Sequence, residues 1–232
     1  MKVVGVVQAR LGSTRFPNKV LARITQFESV LSFLLGRLTR SYYLDLIVVA
    51  TPSKAEAEEM ESEQHERDPV PTEFRWYDVP EDDLVARHAA VAREFDADFI
   101  VRVPSDNPFV DPFLVDLAIH YAIYGNPGTV YDNLRQRCAG GILDGLGAEV
   151  YPRAVIKALD ALETTEREHP RAAIALGNYE LCEGRDPEWQ HGPATFDVNT
   201  PADLERLSRL VKLLPPHFNA RHLNALPHEV LV

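Results

Sequence analysis

Residues 3–19 read VVGVVQARLGSTRFPNK, in which an apolar run passes directly into a polar, cation-rich turn. The run Val3–Val7 is too short for a signal peptide or a membrane span, and it predicts a buried strand. Small residues at 12–14 let the backbone approach an anion, and three cations lie within the turn, Arg10, Arg15 and Lys19. The spacings of the common phosphate loop, G-x-x-x-x-G-K-[ST], and of the dinucleotide turn, G-x-G-x-x-G, are both missing from this turn. The turn therefore predicts a different kind of phosphate site, with a solvated basic turn as the alternative.

Strands and helices alternate along the rest of the chain. Further strands are predicted at Leu46–Ala50, Phe74–Tyr77, Asp98–Val103, Ala148–Tyr151 and Thr195–Val198. Helices are predicted at Phe27–Thr39, Lys54–Glu63, Leu84–Phe95, Pro112–Tyr124, Arg153–Arg167 and from a Thr200 N-cap to Leu214. The polar stretches 64–73 and 125–147 predict a loop and a group of loops and hairpins. The alternation favours a single α/β domain over residues 1–232, with a mostly parallel sheet covered on both faces.

The composition argues against a general nucleic-acid binder and against a protein built on disulfides or zinc. Lys and Arg number 24 against 35 Asp and Glu, and the net charge is −11. A general nucleic-acid binder needs clustered cations, so an acidic chain argues against one, although a local basic pocket would suit a small polyanion. The two cysteines, Cys138 and Cys182, are far apart and form no C-x-x-C pair, so we expect neither a disulfide framework nor a zinc site. We expect a cytoplasmic protein that binds neither nucleic acid nor membrane.

Two aspartates lie near the ends of predicted strands. In open α/β sheets, ligands bind outside the carboxyl ends of the strands. The polar segments after residues 7, 50, 103 and 198 are therefore expected to share one crevice. Mg²⁺ prefers one or two carboxylates together with phosphate oxygens, which makes Asp106 and Asp197 candidate ligands. The alternatives are a turn-forming role for Asp106 and a surface strand position for Asp197, while Asp203 is better explained as a helix cap.

Three further polar clusters carry weaker signals. In DGLGAE, residues 144–149, the glycines fit a tight hairpin, and Asp144 and Glu149 would suit hydrogen bonds to a polyhydroxylated acceptor. Hairpin chemistry explains the glycines equally well. Residues 82–87 place two acids and an arginine at a helix start, where the acids also favour the helix dipole. The triplet REH at 167–169 is also explained by a cation near the carbonyl end of a helix.

Taken together, these stretches resemble the cytidylyltransferase family that includes the SpsF-type proteins of spore coat polysaccharide biosynthesis, relatives of the CMP-sialic acid and CMP-Kdo synthetases. The segment ARLGSTRFPNKVL, residues 9–21, is very similar to the family's nucleotide-binding signature, and Val49–Thr51 matches its second strand end. EDDLVAR at 81–87 resembles D-V-L-x-R-Y, and VRVPSDNP at 101–108 resembles R-x-T-x-D-x-P. The later matches are residues 144–149 with D-G-x-x-x-E, 167–169 with R-E-H, and DVNTPADL at 197–204 with D-x-x-x-P-x-D-L. Seven matches in the same order are hard to obtain by chance.

The resemblance implies a Rossmann-like, three-layer nucleotidyltransferase fold of the nucleotide-diphospho-sugar transferase type, with a mixed, mostly parallel sheet. It implies CTP in the crevice, Mg²⁺ on Asp106 and Asp197, and catalysis by Lys19, Arg15 and Asp106. The nucleotide contacts that it implies are Gln8, Ala9, Arg10, Gly12, Ser13, Thr51, Arg87 and Arg102. The implied acceptor contacts are Asn133, Asp144, Glu149 and His169.

The activity implied by the resemblance is transfer of CMP from CTP to a sugar, with a sugar acid expected, in surface polysaccharide biosynthesis. Departures from the family pattern at Pro104, Asn107 and Pro170-Arg171 leave the acceptor open. A nucleotide-sugar-dependent glycosyltransferase is an alternative, but residues 106–108 read DNP where such enzymes usually carry D-x-D. A non-catalytic nucleotide- or sugar-binding protein is another. The resemblance also suggests a homodimer, with an interface on residues 125–150.

Overall fold

The first strand, β1 (Val3–Gln8), lies in the parallel part of a mixed sheet and has a neighbour on each side. Val6 aligns with Val48 of β2 (Leu46–Thr51) on one side and with Arg102 of β4 (Phe99–Pro104) on the other. The strand is buried from Val3 to Val7. A strand that is paired at both edges and covered on both faces has no solvent-exposed side, and this explains its continuous apolar run.

Nine strands form in the part of the chain that this computed structural model describes, residues 1–63, 70–138, 141–162, 167, 181–185, 189, 191 and 193–231. The other strands are β3 (Thr72–Trp76), β5 (Val130–Cys138), β6 (Gly141–Asp144), β7 (Glu149–Pro152), β8 (Leu181–Arg185) and β9 (Ala194–Thr195). Their order is β3-β2-β1-β4-β7-β5-β6-β9, and β8 pairs with β5. The first four are parallel, whereas β7 runs antiparallel to both β4 and β5. The predicted mixed, mostly parallel sheet is confirmed.

Helices cover both faces of this sheet. They are α1 (Val30–Leu38), α2 (Lys54–Ser62), α3 (Leu84–Glu94), α4 (Pro112–Tyr124), α5 (Arg153–Asp160), α6 (Pro201–Val211), α7 (Ala220–Asn224) and α8 (His228–Leu231). Val3 and Val7 share one core with apolar residues of α1, α2 and α4. Val4 and Val6 share the other core with residues of α3 and α5. Alternate residues of one strand thus face two helical layers, which confirms the predicted three-layer fold.

A third core holds the C-terminal part of the chain against the loop that follows β4. It contains Phe109, Phe196 and Phe218 together with apolar residues of α6, α7 and α8. The guanidinium of Arg37 lies 3.8 Å from the ring centroid of Phe218, and its Nε donates to the carbonyl of Val110 at 2.8 Å. This core fixes the segment that follows β9 beside the end of β4.

The largest difference between the predicted and observed helices is in α5. The helix predicted at Arg153–Arg167 ends at Asp160, and Arg167 folds back onto its C-terminus. The Arg167 guanidinium lies 3.3 and 3.4 Å from the carbonyls of Leu159 and Asp160 and pairs with the Asp160 carboxylate. A cation at this end satisfies carbonyls that lack a partner within the helix.

Smaller differences are that α1 begins at Val30 and α6 ends at Val211, and the others concern the strands. A strand of nine residues, β5, occupies part of the stretch 125–147 where we predicted loops and hairpins, and it does form a hairpin with β6. The strand β3 begins inside the predicted loop 64–73, of which residues 64–69 lie outside the described residues. Asp197 follows β9 instead of lying in a strand. Among the described helices, none has the length and apolar character that a membrane span requires.

Two glycines give a matched test of this packing. A Cβ at Gly147, beside the start of β7, would overlap the backbone and side-chain oxygens of Asn133, whereas a Cβ at the exposed Gly36 in α1 meets nothing within 4 Å. We expect Gly147→Ala to lower the free energy of unfolding by about 2 kcal/mol or more, and Gly36→Ala to raise it by about 0.5–1 kcal/mol. Urea unfolding of both variants measures this. A Gly147→Ala protein as stable as wild type would contradict the described β5–β7 junction.

Candidate functional site

A pocket of about 310 Å³ opens at the carboxyl ends of β1 and β4. Nine residues predicted for the site line it, Gln8, Ala9, Arg10, Ser13, Arg15, Lys19, Arg87, Arg102 and Asp106. The other residues of the lining are Thr14, Glu81, Asp82, Leu84, Pro104 and Ser105. The structure therefore brings the turn after β1 together with the loop after β4, as expected for parallel strands that end at the same edge of a sheet.

The turn after β1 is held by its own backbone. The N–H groups of Ser13 and Asn18 both donate to the carbonyl of Leu11, at 2.9 and 3.0 Å. The Leu11 N–H donates to the Glu56 carboxylate at 2.7 Å. Gly12 does not line the pocket, and a Cβ there would make only an ordinary contact with the Glu81 carboxylate, at 3.8 Å.

Lys19 joins the turn to two other segments. Its Nζ lies 2.5 Å from Asp106 Oδ2 and donates to the carbonyl of Val198 at 2.9 Å. The Val198 N–H in turn donates to the backbone carbonyl of Asp106 at 2.8 Å. The ends of β1 and β4 and the segment after β9 therefore meet at one ammonium group.

Asp197 lies close to this contact, half-buried and outside the pocket lining. Burial raises its pKa, and the negative charge of Asp106 raises it further. The Asn199 amide donates to Asp197 Oδ2, and its oxygen accepts from Arg15 Nη2 at 3.2 Å. Two carboxylates that repel each other at the edge of a pocket would both be stabilised by a cation between them.

Arg102 lies at the floor of the pocket in a buried ion pair. Its Nη1 donates to Glu149 Oε2 at 2.7 Å, its Nε donates to the Gln8 side chain at 3.2 Å, and Tyr151 OH donates to the same Glu149 oxygen at 2.9 Å. Burial alone lowers the pKa of Arg102, but the adjacent Glu149 carboxylate raises it above its usual value, so the guanidinium stays charged. Glu149 is only 3% exposed. The structure thus gives this carboxylate to Arg102, and it does not present it to an acceptor as the sequence suggested.

Arg87 and Arg10 flank the same wall of the pocket. Arg87 is buried, and its Nη2 lies 3.4 and 3.3 Å from the carbonyls of Pro80 and Glu81. Burial lowers the pKa of Arg87, and its Nε has no hydrogen-bond partner among the described residues. Arg10 is exposed and pairs with the Glu81 carboxylate at 2.6 Å.

Three more predicted residues, Thr51, Asn133 and Asp144, are outside the pocket lining. The buried Thr51 hydroxyl lies 2.9 and 3.3 Å from the carbonyls of Ser53 and Arg75, so it stabilises the end of β2. The buried Asn133 amide donates to the Leu114 carbonyl at 2.6 Å and accepts from the Ala148 N–H at 2.9 Å, so it joins β5 to α4 and to the segment before β7. Asp144 is half-buried at the end of β6, away from the pocket lining. His169 lies outside the described residues.

The charge of the pocket differs from that of the chain. Five cationic and three acidic side chains line it, whereas the chain as a whole carries a net charge of −11. Cations concentrated in a recess raise the local concentration of anions. The geometry therefore suits a small, highly charged anion.

The cytidylyltransferase profile matches residues 4–135, which is more than half of the chain. The chain belongs to the cytidylyltransferase family. Every residue that lines the pocket falls within the matched segment. The pocket is therefore built from the part of this cytidylyltransferase chain that defines its family, while Asp197 and Asn199 come from outside it.

Individual relatives agree with this assignment. A 3-deoxy-manno-octulosonate cytidylyltransferase of Trichlorobacter lovleyi is 32% identical over 137 residues, 59% of this chain and 51% of that one. The spore coat polysaccharide biosynthesis protein SpsF of Bacillus subtilis is 31% identical over 121 residues, 50% of this chain and 48% of that one. The chain thus spans about half the length of these curated relatives. A solved cytidylyltransferase from Leptospira borgpetersenii, 24% identical, superposes with a TM-score of 0.77 over 94% of this chain and 90% of that one, which confirms the fold.

A buried histidine beside the pocket predicts how the stability of this chain depends on pH. His88 in α3 is fully buried, its Nδ1 lies 2.6 Å from the Leu84 carbonyl, and burial lowers its pKa to about 4. Between pH 6.5 and 4 the unfolded chain binds a proton that the folded chain does not, so stability is lost as the pH falls. The loss should reach about 3 kcal/mol near pH 4.

Urea unfolding between pH 7 and pH 4 measures this contribution. His88→Asn should lose about 3 kcal/mol less free energy of unfolding than wild type between pH 7 and pH 4, because the titrating group is removed. His217→Asn, at an exposed position, is the matched control and should keep the wild-type slope. Equal slopes for His88→Asn and wild type would contradict a buried, neutral His88.

Proposed function

We propose that this chain transfers CMP from CTP to a sugar, with a sugar acid as the class of acceptor, and releases pyrophosphate. The observation that carries the proposal is the pocket at the ends of β1 and β4, where five cationic side chains surround a recess in an acidic chain. Membership of the cytidylyltransferase family supports CTP as the nucleotide. Two relatives, a 3-deoxy-manno-octulosonate cytidylyltransferase and a spore coat polysaccharide biosynthesis protein, support a sugar acceptor for surface polysaccharides.

The triphosphate would lie against the turn after β1. Arg10, Arg15 and Lys19 all line the pocket from this turn. Arg10 and Lys19 are held by the carboxylates of Glu81 and Asp106, which keeps their charged groups at the pocket wall. Cations positioned in advance need little reorganisation when an anion binds, and this is the main source of electrostatic stabilisation in such sites.

Asp106 and Asp197 fit a magnesium ion that arrives with the triphosphate. Mg²⁺ in nucleotide sites takes one or two protein carboxylates and completes its shell with phosphate oxygens and water. The pKa of Asp197 is raised by burial and by the charge of Asp106, so a divalent cation would relieve the repulsion between the two groups. When bound, the ion would neutralise phosphate charge and help to orient the triphosphate.

In the proposed reaction, the oxygen of an acceptor hydroxyl attacks the α-phosphorus of CTP. The new O–P bond forms as the P–O bond between the α- and β-phosphates breaks, pyrophosphate leaves in line, and the hydroxyl proton passes to water. Charge spreads over the phosphoryl oxygens in such transition states, so positioning and electrostatics supply most of the catalysis. Lys19 and Arg15 would stabilise the charge that develops on the α-phosphate and on the leaving group. Arg102, paired with Glu149, would remain a charged and fixed hydrogen-bond donor at the floor of the pocket.

A direct assay tests the proposed activity. The protein is incubated with CTP, Mg²⁺ and a panel of sugar acids that includes 3-deoxy-manno-octulosonate, and pyrophosphate and the CMP-sugar are both measured. We expect stoichiometric pyrophosphate and CMP-sugar with at least one acceptor. Turnover only with a preformed nucleotide sugar would indicate a glycosyltransferase, and CTP binding without turnover across the panel would indicate a binding protein. Both results would contradict the proposal.

Two substitutions test the residues assigned to phosphate transfer. We expect Lys19→Ala to fold and to lose about 10²–10³ in kcat, because loss of one preorganised donor has that effect. We expect Asp106→Asn to need more Mg²⁺ for half-maximal activity, since a carboxylate ligand is removed. Pyrophosphate release at several Mg²⁺ concentrations measures both, and Lys54→Ala, at an exposed surface lysine, is the control. Near-wild-type release by Lys19→Ala, or an unchanged Mg²⁺ requirement in Asp106→Asn, would remove that residue from the site.

A further inference from the structure

Asn199 connects two charged groups of the site. Its side-chain oxygen accepts from Arg15 Nη2 at 3.2 Å, and its amide nitrogen donates to Asp197 Oδ2. We propose that Asn199 is a positioning residue whose neutral amide holds Arg15 at the pocket without neutralising it and orients the Asp197 carboxylate. This inference rests on the proposed function, because it assigns Arg15 to an anionic ligand.

The two ends of the amide have different partners for a chemical reason. A guanidinium is only a donor and a carboxylate is only an acceptor, so the residue between them must offer one acceptor and one donor. Asparagine offers both within one short side chain. An aspartate would lose the donor and repel Asp197, and an alanine would lose both contacts. The amide orientation is thus fixed by its neighbours.

Arg15 differs from the other two cations of the turn because its partner, the Asn199 side chain, is neutral. Arg10 pairs with the Glu81 carboxylate at 2.6 Å, and Lys19 pairs with Asp106 at 2.5 Å. Within the described ranges, no carboxylate lies at ion-pair distance from Arg15. A phosphate that binds Arg15 therefore replaces a hydrogen bond to a neutral amide, and does not have to displace a carboxylate. Arg15 is positioned by Asn199 and its charge is still available to the ligand.

The backbone around Asn199 is held independently of its side chain. The Asn199 and Thr200 N–H groups donate to Asp203 Oδ2 at 3.1 and 2.8 Å. The Thr200 side chain caps α6 through the Asp203 N–H. The side-chain amide of Asn199 takes no part in these contacts. The side chain can therefore be changed while the local backbone is retained.

Binding of inorganic pyrophosphate without metal tests the proposal, because it requires no turnover. Calorimetric titration at low salt would compare wild type, Asn199→Ala and Asn199→Asp, with thermal unfolding as the check on folding. We expect Asn199→Asp to weaken binding by about tenfold or more, since the new carboxylate would pair with Arg15, and Asn199→Ala to weaken it less. Asn126→Asp, at an exposed position after α4, adds the same charge away from the site and should bind as wild type does.

A double-mutant cycle with Arg15→Ala separates positioning from a general structural effect. If Asn199 acts through Arg15, Asn199→Ala should change pyrophosphate affinity by less than about twofold in the Arg15→Ala background. An equal loss in both backgrounds would overturn the proposal, as would wild-type affinity in Asn199→Asp. Failure of wild type to bind pyrophosphate would instead contradict the proposed function, because the pocket itself would then not be an anion site.

Discussion

Lys19 is the point at which three distant stretches of the chain meet. Its ammonium group bridges the Asp106 carboxylate and the Val198 carbonyl, while the backbones of Val198 and Asp106 are hydrogen-bonded to each other. The turn after β1, the loop after β4 and the segment after β9 are thereby held around one pocket edge. This contact adds to the Arg15–Asn199 hydrogen bond and to the third core, which also hold these segments together. The carboxylate and the carbonyl accept from two of the three N–H donors of this partly buried ammonium, and both acceptors are fixed by the fold.

The three arginines near Lys19 differ in their partners, and together they suit the binding of an anion. Arg102 is buried and held charged by Glu149 beneath the pocket. Arg10 is paired with Glu81 on the wall. Arg15 is held only by the neutral amide of Asn199 among the described residues. A ligand thus meets a buried ion pair at the floor, a paired cation on the wall and an available cation, all of them in place before it binds.

The sequence predicted the fold and the centre of the site because both depend on local pattern. A buried run followed by a cation-rich turn, and an aspartate after a later strand, must converge when parallel strands end at one edge. The roles of Glu149 and Asn133 could not be predicted in this way. Glu149 lies opposite Arg102 only because β7 joins the sheet antiparallel to β4, and the contacts of Asn133 depend on how β5 packs against α4. The bridging position of Asn199 likewise depends on the third core, which brings a distant segment to the turn.

A structure of the chain crystallised with CTP and Mg²⁺ tests the central claim most directly, because it locates the phosphates relative to the turn. We predict electron density for the triphosphate between residues 10–19 and Asp106, with the Lys19 ammonium about 3 Å from a phosphate oxygen. A nucleotide bound elsewhere, with Arg15 and Lys19 directed to solvent, would contradict the account.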